Sequence, residues 1–382
     1  MDTITTRELA QKWNVSIRTV NMYLNAGRVE GAVRKKGGWL IPADAPYPGT
    51  RPQKTVHKHF MPLWQPHEIG TGAAFAMHFA DAEEREGAEA ARLYHRGQLD
   101  EARQKCARFT DSKSPEMRLS ALLIHMMASV PPGDAAAVIA DVQVFRKERE
   151  AAETPELRAA YQFIQNISRV FFHEDEDVAV TKVDWLGVLP LGTRLFAVYA
   201  MAHALYLKKD YAQALGMARA ALVLADDRFP PVCVYLNLIA CIAAMNLGDV
   251  AEADGFFLRA WSLAEPDGYL HPFAEHHGLL MGQVERHFRD KHPEVYERIS
   301  GMVVRFSRGW MKIHNPNSVN KVTDALSPYE FSMAMMAAKG KSNREIAEFM
   351  NVSVNTVKSY LSVIYQKVGV CNRTELARYV NK

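Results

Sequence analysis

Four cysteines in 382 residues, none in a Cys-x-x-Cys pair, exclude a disulfide framework and a cysteine zinc site. Cys106, Cys233, Cys241 and Cys371 are scattered, the usage expected of a reduced, intracellular chain. Long apolar runs are also missing. The longest nearly apolar stretch, VCVYLNLIACIAAM at 232–245, falls short of a bilayer span and contains Asn237, so it predicts a buried helix. The opening MDTITTRELA is polar with no apolar h-region, so neither a secretion signal nor a membrane is expected, and the expected location is cytoplasmic.

Catalytic constellations are scarce as well. GKS at 340–342 carries Met335 where a phosphate-binding loop needs its first glycine, and no strand precedes it. HPFAEHH at 271–277 gathers His271, Glu275, His276 and His277, but its His-x-x-x-Glu-His spacing is not that of a zinc protease. Pro272 suggests a first helical turn, with His271 as a cap and the others on a surface or between helices. HEDED at 173–177 lacks the alternating ligands and glycine of a calcium loop. The expectation is therefore no enzyme, no catalytic residues, no cofactor and no metal.

Charge, near balance overall at +3, is unevenly placed. Residues 1–60 carry +6, residues 305–382 carry +7, and the stretch between carries −10. Two basic ends around an acidic body point to ends that meet a polyanion.

The ends share a pattern. ELAQKWNVSIRTV at 8–20 and EIAEFMNVSVNTV at 345–357 are identical at seven of thirteen positions. In the second, Ser327-Pro328-Tyr329-Glu330 and Ser342-Asn343-Arg344-Glu345 are capping boxes, and Gly340 stops the helix between them. Ser353 caps a long helix to about Val368, and Asn372 opens a fourth. Ile346, Ala347, Val352, Val357 and Leu361 must interlock where two helices cross tightly. The outer face of the long helix then carries Asn355, Thr356, Lys358, Ser359 and Ser362, side chains able to reach base edges and phosphates in a major groove. In the first copy, Thr5 and Glu8 form the box, Leu9, Ala10, Val15 and Val20 repeat the interlocking set, and Ser16 caps the second helix. Strand-like runs at Val29 to Val33 and Trp39 to Ile41 follow, joined by Lys35-Lys36-Gly37-Gly38. This basic wing would lie on phosphate through Arg34, Lys35 and Lys36, with Trp39 packing it onto the helices or, less economically, stacking on a base.

LSPYEFSMAMMAAKGKSNREIAEFMNVSVNTVKSYLSVIYQKVGVCNRTELARYV resembles the LuxR/NarL-type DNA-binding domain over about 326–382. The resemblance implies that Lys358, Ser359 and Ser362 read bases, that Asn343, Arg344, Thr356 and Lys367 contact backbone, and that the fourth helix pairs two copies. PYEFSM departs from the family's more charged first helix. The receiver domain that often precedes this type should alternate strands and helices, which this chain does not. Residues 3–46, with T-x-x-E-x-A, V-S-x-R-T-V, G-R-V and W-x-I-P in order, resemble the excisionase/MerR-type winged helix-turn-helix. That places Arg18, Thr19, Asn21 and Met22, beside Ser16, on its recognition helix.

Between the ends, APYPGTRPQKTVHKHFMPLWQP at 45–66 reads as a linker or irregular docking segment. From about 72 the pattern is helical. GQLDEA at 97–102, KDYAQA at 209–214 and GDVAEA at 248–253 are self-similar, the last two 39 residues apart. Each opens a helix whose small residues (Ala102, Ala107; Ala214, Ala218, Ala221; Ala253, Ala260) would allow close packing. This is similar to tetratricopeptide-type repeats and, more loosely, to the sensor region of MalT-like regulators. The resulting expectation is a mainly α chain. It comprises a winged helix-turn-helix at 1–46, a linker at 47–70, a helical-repeat body at 71–304, a linker at 305–325 and a LuxR-type domain at 326–382. Its expected partners are double-stranded DNA, a second copy as a homodimer, and a small-molecule or protein effector at the body, unless the body only spaces the ends. The competing expectation is a repeat scaffold for protein partners in which one helix-turn-helix, the N-terminal one, docks protein.

Overall fold

The structure, a computed structural model, describes residues 3–13, 15–25, 27, 29, 31–35, 38–45, 58–109, 112–150, 152, 154–172, 184–314 and 326–380. Lys36 of the wing, the acidic run at 173–177 and linker residues 47–57 lie outside the described residues. The chain divides into two compact units, residues 1–57 and 58–382.

In the first unit, α1 (Thr6–Lys12) and α2 (Ile17–Asn25) pack on a small antiparallel sheet. The sheet joins β1 (Thr3–Ile4), β3 (Gly38–Pro42) and β2 (Val33–Lys35), in that order. Ile4 faces Ile41 across one edge of β3, and Arg34 faces Trp39 across the other. The two strands expected as a wing thus have a third beside them, too short for any two-residue alternation in the sequence to announce it. The strand expected at 29–33 begins only at Val33. Val29 is buried in the core instead, and its carbonyl accepts from the Ala32 amide in a turn. Leu9, Val20 and Ile41 are fully enclosed, and Trp13 meets Tyr23 edge-on at 6.3 Å.

The second unit opens where a linker was expected. Phe60, Met61, Leu63 and Trp64 are buried, and Trp64 stacks on Phe196 at 4.2 Å. Pro62 starts a short 3-10 turn rather than a free chain. Apolar aromatics outweigh the linker signal of the prolines. Helices α3 (Gly72–His78), α4 (Ala82–Arg96), α5 (Leu99–Cys106), α6 (Pro115–Ser129), α7 (Ala135–Glu150) and α8 (Pro155–Phe172) follow. Then come α9 (Leu191–Leu207), α10 (Tyr211–Ala225), α11 (Pro230–Leu247), α12 (Val250–Ala264), α13 (His271–His276), α14 (Gln283–Phe288) and α15 (Pro293–His314). The last of these carries helix into the expected 305–325 linker as far as His314.

α11 is long and apolar enough to cross a membrane, but it is buried from Pro230 through Met245 and is the central core helix. α10 and α12 flank it. Asp210 and Asp249, 39 positions apart, cap these two helices by accepting from the amides of Gln213 and Glu252. Ala214, Ala218, Ala253 and Ala260 are fully buried at the crossings, as close packing requires. Ala107 is not; it lies exposed in the 3-10 turn after α5.

Four further helices complete this unit: α16 (Pro328–Ala338), α17 (Asn343–Phe349), α18 (Val354–Val368) and α19 (Arg373–Val380). They are seated on the segment that contains α13 and α14. A Cβ on Gly278 would lie 2.7 Å from the Phe331 ring, and Gly282, at φ +90°, faces Met350 and Phe349. The guanidinium groups of Arg286 and Arg289 lie over the Phe349 and Tyr329 rings at 4.9 and 4.2 Å.

Two identical substitutions should act oppositely on this packing. A Cβ at Gly192 would sit 1.8 Å from the Trp64 carbonyl oxygen. Gly192→Ala should therefore destabilise the unit by about 1–3 kcal/mol. Gly216, mid-helix in α10, has nothing within 4 Å. Gly216→Ala should stabilise by about 0.5–1 kcal/mol. Urea unfolding of both variants measures the two signs.

Candidate nucleic-acid interface

The repeated thirteen residues build the same local structure twice. Thr5 and Glu8 cap α1 reciprocally, with amide-to-side-chain distances of 2.8 and 3.2 Å, and Ser342 and Glu345 cap α17 at 2.6 and 3.2 Å. The Val15 amide donates to the Ala10 carbonyl at 3.0 Å, as that of Val352 does to Ala347 at 2.9 Å. Ser16 accepts from the Thr19 amide at 3.1 Å, and Ser353 from that of Thr356 at 3.0 Å. In each copy the two hydroxyls also bond to each other at 2.8 Å. Leu9 and Val20, like Ile346 and Val357, are completely buried. The caps hold the carboxyls of Glu8 and Glu345 below their ordinary range through hydrogen bonds from Thr5 and Ser342.

These bonds assign jobs within the expected site. Ser16, Thr19 and Thr356 fix helix starts, which leaves their hydroxyls partly committed. On α18, Asn355, Lys358, Ser359 and Ser362 are exposed on one side, while Val357, Leu361 and Ile364 face the core. The Ser359 hydroxyl donates to the Asn355 carbonyl at 3.1 Å, an i−4 bond that free rotation can exchange for another partner. Val354 and Val363 are also exposed there; the sequence reading passed them over because their apolar type signals core. Arg344 is exposed at the start of α17. Asn343 is half-buried, its side-chain oxygen accepting from Arg373 at 2.7 Å, so α19 orients it. In the N-terminal unit Arg18, Asn21 and Met22 are exposed on α2, and Arg34 and Lys35 are exposed on β2. Arg34 lies 5.8 Å over the half-buried Trp39, which packs on the helix core.

Lys367 departs from its expected role. Its ammonium bonds both oxygens of Glu330 at 2.7 and 2.8 Å, tying α18 to α16 rather than standing free for a phosphate. Burial alone would raise the Glu330 carboxyl; the bonds from Lys367 and the Ser327 cap outweigh it and hold it below 4.5. His271 departs too: Leu270 occupies the N-cap of α13 without a side-chain bond, and His271 is buried. Among the described residues no three His, Cys, Asp or Glu side chains are grouped as metal ligands.

Lys367→Met should cost between the roughly 1 kcal/mol of an exposed pair and the roughly 3 kcal/mol of a buried one, since only the Glu330 end is buried. A depressed carboxyl contributes stability above its unfolded value, near 4.5, and loses it as pH falls through the lower folded value. The melting-temperature gap between wild type and variant, measured by circular dichroism, should be full at pH 7 and shrink as the pH falls below 4.5.

Residues 324–380 match the family described as bacterial regulatory proteins, luxR family. The chain is 36% identical over 66 residues to the HTH-type transcriptional regulator YhjB of Escherichia coli (strain K12), which covers 17% of this chain and 33% of that protein. It is 39% identical over 66 residues to the oxygen regulatory protein NreC of Staphylococcus carnosus (17% and 30%), and 40% over 57 residues to the tetrathionate response regulatory protein TtrR of Salmonella typhimurium (15% and 28%). The chain thus spans about a third of the length of these curated relatives. No solved structure matches it. The four C-terminal helices are a LuxR-family helix-turn-helix domain.

Proposed function

We propose that this chain is a cytoplasmic, non-enzymatic transcription regulator that binds specific double-stranded DNA through α18. The observation that carries this reading is the exposed row Asn355, Lys358, Ser359 and Ser362 on a helix whose start is fixed by Ser353, within a LuxR-family domain. Lys358 and Ser359 would contact base edges, and Arg344 would contact a phosphate. Two copies would pair through α19, so that two half-sites are read by a homodimer.

The N-terminal unit would be a second reader of winged type, with Arg18 and Asn21 entering a groove and Arg34, Lys35 and Lys36 on phosphate. Two readers on one chain raise the effective concentration of the second once the first has bound. The helical body, tetratricopeptide-like in its spacing, would receive an effector or partner. One observation favours a second reading of the N-terminal unit. Ile17, Met22 and Val33 are 45, 40 and 57% exposed on its helix and wing, an apolar surface suited to docking a protein.

Lys358→Ala with Ser359→Ala should weaken operator binding by roughly 1–3 kcal/mol per lost base contact and relax selectivity, with the fold unchanged. Persistence of both affinity and selectivity in fluorescence anisotropy would exclude α18 as the reader. Arg34→Ala with Lys35→Ala should flatten the salt dependence by roughly 0.9 per lost phosphate contact. An unchanged slope, with unchanged sequence recovery after removal of residues 1–57, assigns the N-terminal unit to protein docking.

A further inference from the structure

We propose that the outward face of α10 pairs antiparallel with the same face of a second copy of this chain. The face is both apolar and open. Val223 is 80% exposed and Leu224 63%, and Ala212, Gly216 and Ala220 are exposed beside them. These five positions recur at helical spacing, so they form one strip along most of the helix, opposite the buried Ala214, Ala218, Ala221 and Ala225. Single apolar residues on a surface are ordinary, whereas a continuous exposed strip marks an interaction site. Arg219, at its edge, is held by an ion pair with Glu252 of α12.

The charges at the two ends of α10 select the partner. Lys209 precedes the helix and Asp226 follows it, and neither is in an ion pair among the described residues. Asp226 stands where the helix dipole disfavours an anion. Lys209 stands near another cation. Partial loss of solvent, and then the Lys209 ammonium, hold the Lys339 ammonium at the end of α16 below its ordinary value. An apolar strip with a cation at one end and an anion at the other is complementary to its own reverse, which is what a two-fold contact requires.

Lys209 and Asp226 are equally far along the chain from the point between Met217 and Ala218. Turning a second copy about that point sets its Asp226 against Lys209, its Ala212 against Val223, and its Ala220 beside Gly216. Large side chains then meet small ones, and the small ones let the helices approach. One chain cannot make this pair alone. Its Lys209 and Asp226 lie about 25 Å apart along the helix, beyond the roughly 10 Å over which exposed charges act in ordinary salt.

Lys339 belongs to the LuxR-family domain, so each end of the joined helices would carry one such domain. The contact is separate from the pairing proposed through α19 and does not rest on it.

The test is sedimentation velocity of the full-length, DNA-free protein over a micromolar concentration series. The wild type should sediment as a particle of two or more chains. Val223→Glu should halve the number of chains and leave the helical circular dichroism unchanged. Lys209→Asp and Asp226→Lys, each alone, should raise the Kd of pairing about tenfold, since each ion pair occurs twice in a two-fold contact. An equimolar mixture of these two variants should pair as the wild type does, because each offers the charge that the other needs. A folding defect within one chain is not repaired by mixing, so failure of the mixture to recover overturns the proposal. So does a wild type that stays a single chain, which would leave the face to a different protein or to another segment of this chain. A chain number that Val223→Glu leaves unchanged also overturns it and assigns pairing to another surface such as α19.

Discussion

The tight crossing of two short helices is the constraint on which both ends of this chain depend. At each end an alanine must sit where the partner helix passes, and its carbonyl must take the amide of the valine that begins the turn. A serine must then restart the chain as helix by satisfying the amide three residues on. Glutamate at the opposite end of the first helix closes the other cap. Six of the seven shared residues, Glu8, Ala10, Val15, Ser16, Thr19 and Val20 with their counterparts, have a geometric job in that crossing. Similarity between the two segments therefore reflects the demands of one backbone geometry rather than duplication of a domain. What surrounds them differs, a three-stranded sheet in one case and two further helices in the other.

The body depends on a different principle, burial without periodicity. α11 is apolar all round because helices cover it on every side, and Trp64 brings a preceding segment into the same core. Several polar groups enter that interior in pairs, as when the Tyr199 hydroxyl meets His276 at 2.8 Å or His277 meets Glu285 at 2.7 Å.

Where the sequence was legible, local rules and tertiary structure agreed. Every helix of the C-terminal domain begins at a residue whose side chain can cap it, so each start was marked to within a residue. Asp210 and Asp249 marked repeated helix starts in the same way. Legibility failed where a tertiary contact overrode a local signal. The prolines at 62 and 66 suggest a linker, yet Trp64 and Phe60 between and before them are drawn into the core. Lys367 resembles a phosphate ligand until the buried Glu330 across from it is placed. β1 escaped because two residues carry no period. The cluster around Glu275 was visible as HPFAEHH, but its partners Tyr94, Tyr199 and Tyr235 come from three other helices, a convergence that no spacing within one segment reveals.

The seat of the LuxR-family domain uses Phe331 from its first helix and Phe349 and Met350 from the end of its second, while Asn355, Lys358, Ser359 and Ser362 of α18 are exposed. Attachment thus uses residues other than the exposed row on α18. Positions 355, 358, 359 and 362 can therefore change without disturbing what holds the domain to the body. The converse also holds: the body can change away from Gly278, Gly282, Arg286 and Arg289 while the exposed row on α18 stays the same.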